Sequence, residues 1–152
     1  MANSQALSTS FKVDLLNGLH AFGTTVVRAA TTKDSFKGAL YVATGSQGAG
    51  TTAYSATNEV SGTGYTAGGA AVTNATAPTS TGTTAFWTPS ASLVWTTVTL
   101  ATAFDALTIY NDTAAGKNAV GTFTFGSQTV TAGNFTLTMP TNDATTGLIR
   151  LA

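Results

Sequence analysis

Side chains able to do chemistry are scarce in this chain, and their spacing narrows what they can do. It holds one histidine, His20, one glutamate, Glu59, and no cysteine. A thiolate metal site and a disulfide framework are excluded, as is a centre built from several histidines. A Ser-His-Asp triad would have to use His20, yet the chain contains no Gly-x-Ser-x-Gly elbow to carry the nucleophile. His20 therefore reads as a packing or capping residue. A glycosidase pair needs two carboxylates about 5–9 Å apart. The candidates, Asp112 and Asp143, both sit in turn sequences, where Asp bonds nearby backbone, and neither belongs to the Asp-x-Asp-x-Asp array of a calcium loop. Gly45-x-x-Gly48-x-Gly50 has the wrong order for a dinucleotide fingerprint and no helix follows it, which leaves a plain glycine loop. Trp87 and Trp95 bracket Pro89. Aromatics on short strands are expected in a core, the alternative being exposed platforms that stack on sugars. No catalytic, cofactor-binding or metal-binding residue is expected.

The elements that position these residues are mostly strands. Leu107 and Ile109, then Phe123 and Phe125, then Phe135, Leu137 and Met139 recur at every second position with threonines largely between them. Such alternation predicts three half-buried strands, with turns at Asn111–Asn118 and at Ala132-Gly133-Asn134, paired as an antiparallel meander. Upstream, Phe36–Val42 is apolar enough for a central strand and Ala70–Thr76 is a weaker one ended by Pro78. Thr79–Thr84 reads as a turn, Thr84–Trp87 and Leu93–Leu100 as strands, and Leu148–Leu151 as a last short strand. Phe22 with Val26-Val27 is a candidate first strand. About seven to nine strands at regular spacing imply an all-β, antiparallel β-sandwich or jelly-roll-like domain spanning residues 1–152.

Two segments stand apart from that pattern. In Ser4–Leu16, Leu7, Phe11 and Leu15 fall at i, i+4 and i+8, which predicts an N-terminal amphipathic helix or arm over about 4–17, with Asn3 or Ser4 as cap and Gly18 just past its end. Its apolar stripe would lie on the core or on a neighbouring subunit. Residues 44–69 are rich in glycine and predict an irregular, projecting loop with Tyr54 and Tyr65 as its anchoring or contacting side chains. Leu7, Phe11, Leu15, Tyr54 and Tyr65 are accordingly the candidate partner contacts.

Composition bears on the partners. Charged residues make up 8% of the chain, against about 25% in ordinary soluble domains, and the formal net charge is zero. Neither a nucleic-acid footprint nor an electrostatic membrane anchor fits that balance. No apolar run reaches the roughly 20 residues of a membrane span, and no secretory signal is read at the start, so a cytosolic site of synthesis is expected. Roughly a fifth of the chain is threonine, a β-branched residue that favours strands. A surface so weakly charged is poorly protected against association, which points to coverage by neighbouring chains.

Three stretches carry a resemblance: Gln5–Gly18 (QALSTSFKVDLLNG), Thr52–Gly69 (TAYSATNEVSGTGYTAGG) and Met139–Leu151 (MPTNDATTGLIRL). In order and spacing they resemble a family of small structural proteins from the virions of tailed bacteriophages, and the likeness spans nearly the whole chain. The resemblance implies a place in the particle and no reaction. What it leads one to expect is a capsid decoration, or cement, protein that binds the major capsid protein or other virion proteins, forms a homotrimer, and resides in virions assembled in the host cytoplasm. The alternative is a tail or neck component, including a receptor- or glycan-binding module using Trp87, Trp95, Tyr54 and Tyr65.

Overall fold

The structure is a computed structural model that describes residues 2–8, 15, 19–20, 22, 33–73, 75–82 and 84–151. Its strands are β1 (Ala6–Leu7), β2 (Phe36–Val42), β3 (Ala70–Val72), β4 (Thr79–Thr81), β5 (Thr84–Trp87), β6 (Leu93–Asn111), β7 (Ala119–Leu137) and β8 (Ile149–Leu151). They form a five-stranded antiparallel sheet in the order β1-β7-β6-β2-β3 and a three-stranded one in the order β4-β5-β8. The molecule is mostly β, as the alternation implies, and opens like a loose sandwich. Phe36, Leu40, Leu107 and Ile109 of the large sheet share one core with Trp87 and Ile149 of the small one. Trp87 and Trp95 are 2% and 6% exposed, and the Trp87 indole N–H donates to the Thr76 carbonyl at 2.8 Å. Both indoles are core residues, and neither is a platform for sugar.

The expected three-stranded meander is instead one long hairpin, because β6 and β7 each run for 19 residues. Alternation holds within segments: Leu107 and Ile109 are buried, and Phe123, Phe125, Phe135 and Leu137 pack on the same core. Where the apolar spacing turns odd, from Trp95 to Val98, the strand bulges and continues. Trp95 pairs with Phe135, Val98 with Gly133 and Leu100 with Val130. Thr96 and Thr97 therefore oppose Asn134 alone, and a few residues on Thr131 and Ala132 oppose Thr99 alone. Thr97 and Ala132 take positive φ of 53° and 46°. The Thr97 N–H donates to Asn134 Oδ1 at 2.9 Å and the Ala132 N–H to Thr99 Oγ1 at 3.0 Å. Ala132-Gly133-Asn134 thus supplies bulge chemistry where a turn was expected. A wider slip around Phe104, which faces Gln128 while Ala106 faces Thr124, is also cancelled, so the register beyond it is restored.

Two smaller expectations change as well. The expected turn at Thr79–Thr84 is instead part of a hairpin of β4 and β5, with Thr79 facing Phe86 and Thr81 facing Thr84 around Gly82 at φ +59°. The helix expected from Ser4 does not begin there: Ala6 and Leu7 form β1, opposite Thr122 and Gly121. Asn3, expected to cap a helix, spends its side chain on other partners, and a helix this short has little stability of its own to set against strand pairing. Leu15 has helical backbone. Phe11 and the Val26-Val27 strand lie outside the described residues.

The glycine-rich segment does not project. It lies against the second face of the large sheet and bonds to it at both sides. Ala119 N–H donates to Thr52 O and Tyr54 N–H to Lys117 O, each at 2.9 Å, beside the start of β7. Val42 N–H donates to Asn58 O at 2.9 Å and Val60 N–H to Leu40 O at 3.0 Å, along the edge of β2. Beneath this strap Ala39, Tyr41, Ala106 and Tyr110 form a second buried cluster, and Thr108 and Thr122 on the same face share a buried hydroxyl pair at 3.1 Å. The strap re-enters the sheet through Gly68 and Gly69, at φ +91° and +76°. A Cβ on Gly69 would stand 1.9 Å from the Gly38 carbonyl oxygen. Gly69→Ala is therefore expected to cost more than about 2 kcal/mol in denaturant unfolding, while Gly50→Ala, in open space, stays within about 0.5 kcal/mol. Equal midpoints for the two variants would contradict the strap's re-entry geometry.

Candidate functional site

The chain contains four tyrosines, and all of them bond to the strap. Glu59 is the hub. Its Oε2 accepts from the Tyr54 hydroxyl at 2.7 Å, and its Oε1 accepts from the Tyr65 hydroxyl at 2.7 Å and the Gly68 N–H at 2.8 Å. The Tyr65 oxygen in turn accepts from Leu40 N–H at 3.1 Å, tying the hub to β2. Tyr41 donates to Ser55 O and Tyr110 to Gly68 O, both at 2.8 Å. The Tyr54 ring stacks on Tyr110 at 4.8 Å, and Tyr65 stacks on Trp95 at 6.5 Å. The sheet thus offers the phenols of Tyr41 and Tyr110 to strap acceptors at Ser55 and Gly68, while the strap's own Tyr54 and Tyr65 meet on Glu59. Burial, reinforced by the hydrogen bond to Glu59, pushes the Tyr54 phenol up to about 12. Burial raises Tyr41, Tyr65 and Tyr110 further still.

A second polar joint holds the N-terminal residues. Asn3 Nδ2 donates to Val42 O at 3.0 Å and to Asp105 Oδ1 at 2.7 Å, and Asn3 Oδ1 accepts from Gln47 N–H at 2.8 Å. Ser4 N–H donates to Gln47 O at 2.9 Å.

The other candidates are likewise engaged. Asn111 Oδ1 accepts from the Thr113 and Ala114 N–H groups, both at 3.0 Å, which fixes the direction of its amide. Its Nδ2 then donates to Asp34 Oδ2 at 2.8 Å and faces His20 Nδ1 at 3.3 Å, so that ring nitrogen presents a lone pair. His20 is buried beside Phe22 and Phe36, the packing role read from sequence. Asp112 pairs with Lys117 at 2.7 Å and Lys37 at 3.2 Å; the hydrogen bond from Lys117, then that from Lys37, lowers its carboxyl below the usual range. Asp143 Oδ1 accepts from the Thr145 and Thr146 N–H groups at 2.7 and 2.6 Å, and the Thr146 bonds above all lower its carboxyl too.

Of the five expected partner contacts, the structure brings Tyr54 and Tyr65 together on Glu59. Leu7 sits on the β7 edge and Leu15 against the core, where it lines an apolar cavity of about 170 Å³ with Phe22, Pro78, Phe86, Trp87 and Ile149. Leu7 and Leu15 do not share a helical stripe, and Phe11 lies outside the described residues. Sequence named Glu59 only as the lone glutamate and Asn3 only as a helix cap, and it gave Gln47 and Asp105 no role. The signal available was a lone glutamate placed between two tyrosines in an otherwise uncharged loop.

A search against protein families, curated proteins and solved structures finds no match for this chain.

Glu59→Ala leaves two phenols and an N–H without their acceptor and is expected to lower stability by about 2–4 kcal/mol, with faster amide exchange across residues 54–69. Unchanged exchange there would show that the hub does not hold the strap. The phenols also set an alkaline limit. Their unfolded value is about 10 and their folded values are higher, so their contribution is complete below pH 10 and is lost as pH rises through the folded values. Absorbance of the folded protein at 295 nm is expected to stay flat to about pH 11 and then to rise together with loss of structure; phenolate appearing near pH 10 in intact protein would refute this.

Proposed function

We propose that this chain is a non-enzymatic structural protein of a tailed-phage virion, a decoration protein that binds the major capsid protein lattice as a homotrimer and stabilises the head. The proposal starts from the whole-chain resemblance. The observation that carries it is the use to which the carboxylates are put. Among the described residues Asp34, Glu59, Asp105, Asp112 and Asp143 all anchor turns, the strap or the N-terminal segment. A protein whose ionisable groups are spent on its own loops suits a task done by shape. Its finer architecture in this reading is jelly-roll-like, with the joined N-terminal segment and strap offering one surface to the lattice. The glycan-binding alternative loses its main support with the burial of Trp87 and Trp95.

Gold-labelled antibody against the protein is expected to mark heads of intact virions, and purified protein to bind undecorated shells of the cognate phage saturably and to delay heat-induced release of DNA. Label confined to the neck or tail, with no binding to shells, would overturn the head assignment.

A further inference from the structure

The Gly45-x-x-Gly48 sequence has a use that its glycine content alone does not reveal. A Cβ on Gly45 would stand 2.9 Å from Asn3 Oδ1, and one on Gly48 would stand 2.5 Å from Ser4 Oγ. The two glycines hollow out a cradle cut to the shape of the N-terminal arm. Asn3 and Ser4 fill it with the four hydrogen bonds described above, and Ala6-Leu7 continues as β1 on the β7 edge. The two segments that sequence singled out as separate partner contacts are therefore partners of each other.

We propose that copies of this chain associate by exchanging these arms, residues 3–7 of one copy seating in the Gly45–Gly48 cradle and on the β7 edge of another. Three observations favour the second copy as the occupant. First, the joint is mainly hydrogen-bonded. Leu7 is the one large apolar side chain between residues 3 and 8, and the net contribution of each hydrogen bond is small, so closure within one chain is weak. Exchange keeps every one of those contacts. Second, an apolar groove of about 180 Å³ opens beside the arm, lined by Gln5, Phe123, Phe125, Leu137, Met139 and Leu148. The five apolar side chains named are all half-buried. A copy arriving with its arm would cover them, a gain that closure within one chain lacks. Third, zero net charge and a charged content of 8% leave little to repel a second copy. The inference deepens the homo-oligomeric part of the proposed function and is tested apart from any shell.

The absence of native cysteine makes the test clean. A Cβ on Gly48 lies 3.7 Å from Ser4 Cβ, within the range a disulfide spans. The double variant Ser4→Cys with Gly48→Cys, oxidised at about 50 μM and at a hundredfold dilution, is run on non-reducing gels, with the two single variants as controls and circular dichroism to check the fold. Covalent dimers and higher forms at the higher concentration, absent from the controls and dissolved by reductant, are the expected result. A monomer band with both thiols consumed would place the arm in its own cradle, and free thiols would place it in neither; each overturns the proposal. Unmodified protein supplies a second measurement by light scattering. Association is expected, and Asn3→Ala should weaken it at least tenfold; one copy at every concentration would also overturn it. Crosslinking without shell binding would keep arm exchange and remove the capsid reading, and the converse would do the opposite.

Discussion

Glu59 is the point on which the second layer of this fold depends. A half-polar antiparallel sheet ordinarily leaves one face to water. Here that face is covered by a glycine-rich strap whose apolar anchors are few, chiefly Val60 and the rings of Tyr54 and Tyr65, so hydrophobic burial holds it at only a few points. The carboxylate supplies the difference. It gathers two phenols and a backbone N–H from three places in the segment, and Tyr65 carries the tie into β2. Hydrogen bonds to a charged acceptor are about twice as strong as neutral ones, and partial burial strengthens them again. Tyr41 and Tyr110, rising from the sheet, add two more ties at Ser55 and Gly68.

The same economy runs through the molecule. With so few charges, each one described has local work: Asp105 receives Asn3, Asp112 joins β2 to the hairpin turn through Lys37 and Lys117, and Asp143 closes the loop before β8. What remains for the exterior is largely threonine, serine and glycine. In the role proposed above, such a surface would meet identical neighbours by contour and backbone.

Much of the fold was legible from side-chain period. β2 and β5 fall on the residues whose patterns announce them, and the apolar members of β6 and β7 face the core as their alternation requires. The failures share a cause. Odd spacing between apolar residues, as from Trp95 to Val98, and Gly-Asn pairs such as Gly133-Asn134 signal a local change of backbone conformation. They do not say whether the chain turns back or bulges and carries on. That choice rests on the partner strand, since the slip at Thr97 is stable because Ala132 slips the other way. Of the candidate site, Tyr54 and Tyr65 were legible as anchors. Their acceptor was not, because a single glutamate among glycines has no period to betray it. The start of the expected helix was misread at Ala6-Leu7, because a stripe at i, i+4 and i+8 carries no information about a sheet edge waiting elsewhere.

The pairing order has a consequence for biosynthesis. β1 lies on β7 and β2 on β6, so the first third of the polypeptide leaves the ribosome before the surfaces it needs exist. The β6–β7 hairpin makes its contacts locally and can zip from its own turn as soon as it emerges. Only then can the earlier segments collect upon it. A nascent chain halted before Ala119 holds no hairpin for its leading segments to settle on, whereas one shortened at the front keeps its template and loses only what is tied to it.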